Sequence, residues 1–565
     1  MRSETTTTAP RTESAAEAAA TRSATGTRPS ASGTARSATG PDRTSTSRSG
    51  TAPYTAALRD FLATDPYAEA SGSGERERGV VPFTGEEVVR FARNTPADVE
   101  AAYRTARIAA SAWAAQSVEH RTKVLMRLHD SLRRHEDLLL DIVQYESGKA
   151  RIHAYDEVLD TYNVLRHYGV MAAKYLRPER RRGAIPVLTR TEVTHTPLGV
   201  IGFITPWNYP LTLGATDLFA ALTAGNAVVH KPDSSTTLTA IFMRRLAIAA
   251  GLPAELWQLV PGPSSEIGSA IIAGADGVSF TGSTAAGRSI AAETGQRLLP
   301  TALELGGKNP MVVLSDADLP KAVEGAVRGS FSSAGQLCIS VERIYVHEDL
   351  YPEFCSRFAE AARALTLSAE FAYGPGMGSL GGPKQFERVG AHVEQARGAG
   401  ATVIAGGHPV PEVGPYFYAP TVLTDVPASA ELYREETFGP VVSVYPVSSD
   451  AEAVAAANDS EYGLAAVVYS RSRGREYARQ IEAGMINVNE VYPASWGSVD
   501  APAGGVKASG LGHRHGIDGI HQFMHTHTIA EQRLHPIAPT SVLDQKKFAG
   551  LMSGALSVMK ALRMK

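Results

Sequence analysis

The chain has 565 residues, 43% apolar and 20% charged, with a formal net charge of -3 and a pI near 6.6; that length exceeds what one hydrophobic core serves, so two or three domains are expected. The charge balance leaves no footprint for a nucleic acid. Cys338 and Cys355 are too few for a disulfide framework, which fits a reducing, cytoplasmic compartment, and no apolar run reaches the roughly 18 residues of a membrane span.

Residues 1–51 are mostly Thr, Ser, Ala, Gly and Arg, too poor in large apolar side chains to offset the entropy of ordering. Seven arginines against Glu4, Glu13, Glu17 and Asp42 give them the look of an organelle transit peptide. The absence of an apolar face at helical spacing favours a plain disordered tail, and no hydrophobic stretch suggests a secretory signal. Order is expected from near Tyr54. DVEAAYRTARIAASAW has apolar residues at helical spacing, with Asp98 as the expected N-cap. VLMRLHDSLRRHEDLLLDIV reads as a second helix, and Ile152 to about Tyr175 as a third. Buried strands are then expected at GVIGFITP, NAVVHKP, LWQLVPG and GVSFTGS, with helices such as TTLTAIFMRRLAIAAG between them. A second alternating region starts near Asn309, with strands at MVVL, RIYVHE, TVIAGG and AAVVYS. Strands alternating with helices predict an α/β fold with parallel sheets. In residues 540–565, Phe548, Leu551, Met552, Ala555, Met559 and Leu562 share one helical face flanked by basic residues. This predicts a helix docked on its own protein or on a sister subunit, ahead of one lying on a membrane surface.

No GxGxxG dinucleotide fingerprint follows any of these strands. SFTGSTAAG stands instead at a strand-to-helix junction, where Gly282 permits close backbone approach and the helix start offers N–H groups to an anion. Lys231 follows another strand end. Each signal alone is weak. Their combination is specific: TPWNYP, KPDSS, FTGST, ELGGKNP, GQLC, EETFGPVV, NDSEYGL and PAGGVKASGLG occur in that order, after ESGKA at Glu146–Ala150, with Glu304 34 residues before Cys338. From about Thr84 to Ala530 the chain resembles the aldehyde dehydrogenase superfamily.

The resemblance implies an aldehyde dehydrogenase fold. A Rossmann-like dinucleotide-binding domain would span 52–179 and 198–306, and an α/β catalytic domain 307–506. A β-hairpin element for oligomerisation would use 180–197, as the protruding hairpin GAIPVLTRTEVTHTPLG, together with 507–535. A homodimer or homotetramer would follow. It also implies that the Cys338 thiolate attacks the aldehyde carbon. Asn208 and the Cys338 N–H would hold the oxyanion. After hydride transfer to a nicotinamide, Glu304 would activate the water that hydrolyses the thioester. Glu436 would hold the nicotinamide ribose, with Trp207, Asn208, Lys231, Gly282, Ser283 and Leu305 along the cofactor. In NAD-preferring members the third residue after the lysine is usually Glu; here it is Ser234, short and neutral, so NADP is expected, with NAD possible.

Overall similarity is greatest to bacterial NADP-dependent succinate-semialdehyde dehydrogenases. There, arginines that grip the distal carboxylate stand eight residues after the oxyanion asparagine and six before the nucleophile; here those positions are Thr216 and Ser332. Arg166, His167 or the loop VYPASWGSVDAP are the candidates to replace them. Ala503 also stands where the family motif has Phe. The rival substrate is an uncharged aliphatic or aromatic aldehyde. A non-catalytic member is disfavoured because both Cys338 and Glu304 are present, and an enzyme passing its acyl group to coenzyme A because it would commonly lack that Glu. No metal site is expected, the HRH at 513–515 having no second ligand cluster at a recognisable spacing.

Overall fold

The computed structural model describes residues 54–185 and 188–563; the expected tail lies outside them. The chain divides into two compact units. One runs to Tyr175 and from Pro197 to Met524; the other comprises Leu176–Thr196 and the chain from His525.

The larger unit is α/β and contains two parallel sheets. The first reads, edge to edge, Gly510–Leu511, Thr301–Glu304, Gly277–Thr281, Val200–Ile204, Ala227–Lys231 and Trp257–Leu259. Its strands are parallel except Gly510–Leu511, which runs antiparallel to Thr301–Glu304. Every residue of Val200–Ile204, Ala227–Lys231 and Gly277–Thr281 is buried, as expected for a parallel sheet covered on both faces. The chain builds outward from Val200–Ile204 on one side, then returns to add Gly277–Thr281 on the other. That reversal leaves a crevice at the strands' carboxyl ends, where doubly wound sheets bind ligands. TPWNYP and Gly282–Ser283 follow those two ends. The second sheet reads Thr402–Ala405, Thr421–Thr424, Val441–Val447, Val341–His347, Asn309–Val313, Ala465–Tyr469 and Met485–Val488, with only the first pair antiparallel. All eight strands expected from the alternating pattern are present.

Three local expectations need correction. The helix Pro96–Ala114 is capped by Thr95, not Asp98; Asp98 is the third helical residue and returns the bond to the Thr95 N–H, closing a capping box. The single second helix is two, Val118–Arg134 and Glu136–Ser147, broken at His135. The hairpin is formed by Glu179–Arg182 against Thr189–Pro197, so its first strand lies before Gly183 and not within the segment expected to hold it. In the smaller unit Met524–Gln532 joins that hairpin as a third strand. Its C-terminal helix, Gln545–Ala561, has no buried residue, so docking on its own chain is not observed. Residues 507–524, expected with the hairpin, belong to the larger unit, where Gly510 and Leu511 pair with Glu304 and Leu303.

Candidate active site

Cys338 follows an unusual stretch of backbone. After the helix Leu319–Phe331 the chain turns through Ser333, Ala334 and Gly335 at φ of 53°, 55° and 68°. Left-handed Ser and Ala cost free energy, on the order of 1–3 kcal/mol each, so the surroundings must hold them. Gln336 does part of this. Its Nε2 donates to the carbonyls of Ser333 (3.1 Å) and Ser379 (3.3 Å), and its Oε1 accepts from the Gly381 N–H (2.8 Å). The ELGGKNP segment holds the cysteine itself. Asn309 Nδ2 donates to the carbonyls of Cys338 and Ser340, both at 2.8 Å. A Cβ on Gly307 would stand 2.8 Å from the Cys338 carbonyl oxygen, so only glycine allows this approach. Around the half-buried thiol lies an apolar wall that includes Tyr209, Leu213, Leu337, Ile339, Ala503 and Trp496.

Asn208 is buried, and its Nδ2 donates to the Gln336 carbonyl at 2.9 Å. An amide NH2 carries two protons, so this bond orients the group and leaves one proton to give. The Asn208 carbonyl accepts from Lys149 Nζ at 2.7 Å, and Lys149 is ion-paired with Glu157. Glu157 in turn accepts from the N–H groups of Leu211 (2.8 Å) and Thr212 (3.1 Å) at the start of the helix Thr212–Ala224. A fully buried pair thus ties Asn208 to that helix. Lys149→Ala strands the Glu157 carboxylate and is expected to cost about 3–5 kcal/mol of stability in urea unfolding; a loss below about 1 kcal/mol would contradict this role.

The sequence reading singled out ESGKA, ELGGKNP and RIYVHE but gave no role to Glu146, Lys149, Lys308, Asn309 or Glu342, the residue before RIYVHE. Glu146 accepts from the Leu238 and Thr239 N–H groups and so holds the helix that follows KPDSS. Lys308 is ion-paired with Glu342 at 2.6 Å, and Glu342 accepts from the N–H groups of Thr437 and Phe438. That locks EETFGPVV against ELGGKNP. Glu436 beside it accepts from the Gly307 N–H at 2.9 Å.

Burial dominates the electrostatics. It pushes Glu304 up to about 8, helped by Asp217 and opposed by Arg514. It pushes Cys338 up to about 12, with Glu304 and Glu436 adding to the rise and Arg514 and the cysteine's own N–H opposing it. Glu436 is pushed up to about 8 by burial and Glu342, against the Gly307 N–H and Lys308. At neutral pH the site therefore keeps its protons. Arg514 and Asp217 were also missed by the sequence reading. Arg514 was visible only as part of the HRH considered for a metal, because nothing in its neighbours marks it as buried.

Towards the crevice, Trp207 packs edge-on against Phe438 at 5.7 Å between ring centroids. Lys231 is buried at its strand end, and its Nζ has the Pro232 carbonyl at 3.5 Å. Asp233 Oδ1 accepts from the Ser235 N–H and hydroxyl, setting the turn in which Ser234 lies half-buried. Gly282 donates its N–H to the Glu304 carbonyl at 3.0 Å, and exposed Ser283 caps the helix Thr284–Gln296. Leu305 packs on that helix at Gly287, where a Cβ would meet its side chain at 2.4 Å. Thr216 and Ser332 spend their hydroxyls on the helical carbonyls of Thr212 and Arg328.

The first parallel sheet ends in a crevice whose strand ends lead to Asn208 and Glu304, and the held thiol of Cys338 precedes a strand of the second, so one α/β unit supplies the thiol, the amide and the carboxylate. Residues 69–529 match the model of the aldehyde dehydrogenase family. The chain belongs to that family. It is 47% identical over 459 residues, 81% of this chain and 89% of the relative, to a Mycolicibacterium smegmatis protein named "Putative succinate-semialdehyde dehydrogenase (NADP(+))". It is 34% identical over 466 residues, 80% of this chain and 93% of the other, to the 3-sulfolactaldehyde dehydrogenase of Pseudomonas putida. An aldehyde dehydrogenase from Bacillus cereus superposes with a TM-score of 0.80 at 31% identity, covering 85% of this chain and 99% of that one.

Proposed function

We propose that this enzyme oxidises succinate semialdehyde to succinate with NADP, through a thiohemiacetal and then a thioester on Cys338. The observation that carries the mechanism is a trio: a backbone-locked thiol, a buried amide with one proton left to give, and a carboxylate raised to about 8. The Cys338 thiol gives up its proton to solvent, the thiolate sulfur adds to the aldehyde carbon, and the oxygen that gains charge is met by Asn208 Nδ2 and the Cys338 N–H. A bound nicotinamide dinucleotide supplies the hydride acceptor. Glu304 then takes a proton from the water that attacks the thioester, releasing the acid and the thiol.

The residues present fit such a cofactor. Lys231 is a buried ammonium with one distant carbonyl acceptor, suited to ribose hydroxyls or a phosphate. Ser283 and Gly282 open a helix N-terminus, Leu305 lies within ELGGKNP with Glu436 bonded to the Gly307 N–H, and Trp207 walls the crevice. Ser234 offers no carboxylate to repel a 2′-phosphate, and the name of the mycobacterial relative agrees with NADP.

For the substrate's carboxylate, His167 is a poor partner. It is half taken up by Tyr175, and burial lowers its proton affinity. Arg166 is exposed and bonded to Asn163, whose amide donates to Gly497 in the loop VYPASWGSVDAP. We assign Arg166 as the cation. The apolar wall around Cys338 favours the rival reading, an uncharged aldehyde. The test is kcat/KM for succinate semialdehyde, 3-sulfolactaldehyde and hexanal with NADP and NAD, in the wild type and in Arg166→Ala. Succinate semialdehyde with NADP should rank first, with its KM alone rising in the variant. Hexanal ranking equal would establish the rival.

Free Cys338 and Cys355 support a cytoplasmic setting, and no helix among the described residues is long and apolar enough to cross a membrane. The strand Met524–Gln532, at the edge of its sheet and exposed along most of its length, supports the smaller unit as an oligomerisation element of a homodimer or homotetramer.

A further inference from the structure

Arg514 is 2% exposed and fixed from both sides. Its backbone forms a two-bond bridge with Ala503, at 2.7 and 2.9 Å. The pairing of Gly510 with Glu304, four residues earlier, delivers it to the candidate base. Its guanidinium has one strong counter-ion, Asp217 Oδ2, at 3.0 Å from the terminal nitrogen that also donates to Thr281 Oγ1 at 2.9 Å. The plane lies over the Trp496 ring, 5.5 Å from its centroid. Nε is buried without a hydrogen-bond acceptor, 3.9 Å from Glu304 Oε1. A buried N–H left unmade costs free energy and needs a reason. The charged or titratable groups facing this guanidinium are Asp217, Glu304, Cys338 and Asp160. The next residue, His515, is held neutral by burial and by Arg514.

We propose that Arg514 is a positioning residue of the reaction: its spare Nε is the donor on which the Glu304 carboxylate closes when it is ionised, and its charge faces the Cys338 thiolate. The inference rests on the roles assigned above to Cys338 and Glu304. In the structure Nε has no acceptor, and Glu304 Oε1 stands 3.9 Å away. With Glu304 ionised, a small rotation brings Oε1 within bonding distance and satisfies both groups. An arginine suits the task because it never loses its proton, so the help it gives is constant across the working pH range. Arg514 opposes the rise in proton affinity of both Glu304 and Cys338. The Asp217 partner keeps the guanidinium in place without cancelling Nε, because it occupies a different nitrogen.

The test pairs Arg514→Met with Asp217→Asn, so that no carboxylate is left stranded, and adds Arg514→Lys. Two pH profiles are read on the full chain: kcat with succinate semialdehyde, and the rate of Cys338 alkylation by iodoacetamide without substrate. In the double variant the acidic limb of kcat should move up by a fraction of a pH unit, because the smaller, opposite influence of Asp217 on Glu304 is removed together with that of Arg514, and alkylation at pH 7 should slow by about tenfold. Arg514→Lys, which keeps the charge but loses the Nε donor, should give a smaller shift in the same direction. It decides the matter if the double variant does not fold. A folded variant with both profiles unchanged overturns the proposal. A wild-type kcat limb that survives Glu304→Gln would instead overturn the underlying assignment of the base, which separates the two failures.

Discussion

Cys338→Ala is expected to lower kcat for aldehyde oxidation by on the order of ten-thousand-fold or more, because the covalent route vanishes with its nucleophile and binding alone does not replace it. Alanine removes only the sulfur. The Asn309 amide, Gly307 and the Gln336 bonds act on backbone carbonyls and N–H groups, so the loop keeps its path. Unfolding midpoints and NADP binding should therefore stay near wild type while turnover disappears. Cys355→Ser is the matched control. Cys355 is a half-buried thiol in the helix Tyr351–Arg363, packed against the core of the second sheet, and its loss should leave kcat within a factor of about two. Steady-state kinetics on both variants check the pair. Retained dehydrogenase activity in Cys338→Ala would remove the mechanism.

Glu304→Gln should separate the two halves of the reaction. Hydride loss from the thiohemiacetal does not need the base, so one equivalent of reduced cofactor should appear rapidly per site. Thioester hydrolysis does need it, so the following steady state should fall by about a hundred- to ten-thousand-fold. Rapid mixing reads both phases, and mass spectrometry of the quenched enzyme should find the acyl group on Cys338. The pH dependence has a definite sign. A base must be ionised to act, and Glu304 in its buried setting loses its proton only near pH 8. Wild-type kcat should accordingly rise with pH through about 8 and then level, and the glutamine variant should lose that limb. Burst-free kinetics in Glu304→Gln with unaltered pH dependence would assign the base elsewhere.

How much of this was visible in the chain itself depends on the scale of the signal. Strands such as GVIGFITP and AAVVYS are short apolar runs that a two-sided parallel sheet demands, so their burial and order could be read directly. The break at His135 could not, since apolar spacing continues on both sides of it and a helix end leaves little mark in periodicity. The hairpin was misplaced for a related reason. EVTHT alternates clearly, but the partner strand ERRR is wholly polar, and cross-strand pairing rather than composition makes it a strand.

The site divides in the same way. Cys338, Glu304, Asn208 and Glu436 stand in ordered motifs, and a single chain carries the order and spacing of those motifs without reference to space. Long-range partnership is different. Lys149 meets Asn208 across 59 residues, and Arg514 meets Asp217 across nearly three hundred. An isolated Lys or Arg in sequence reads as a solvated charge. By itself, then, the sequence determined the family and the α/β alternation and named the candidates for the reacting groups, because these are written in local apolar pattern and in motif order. Only the tertiary structure decided which charges are buried, which donors are spent and which are left over. Burial and pairing arise when distant segments meet, and it is there that the proton affinities of Cys338 and Glu304 are set.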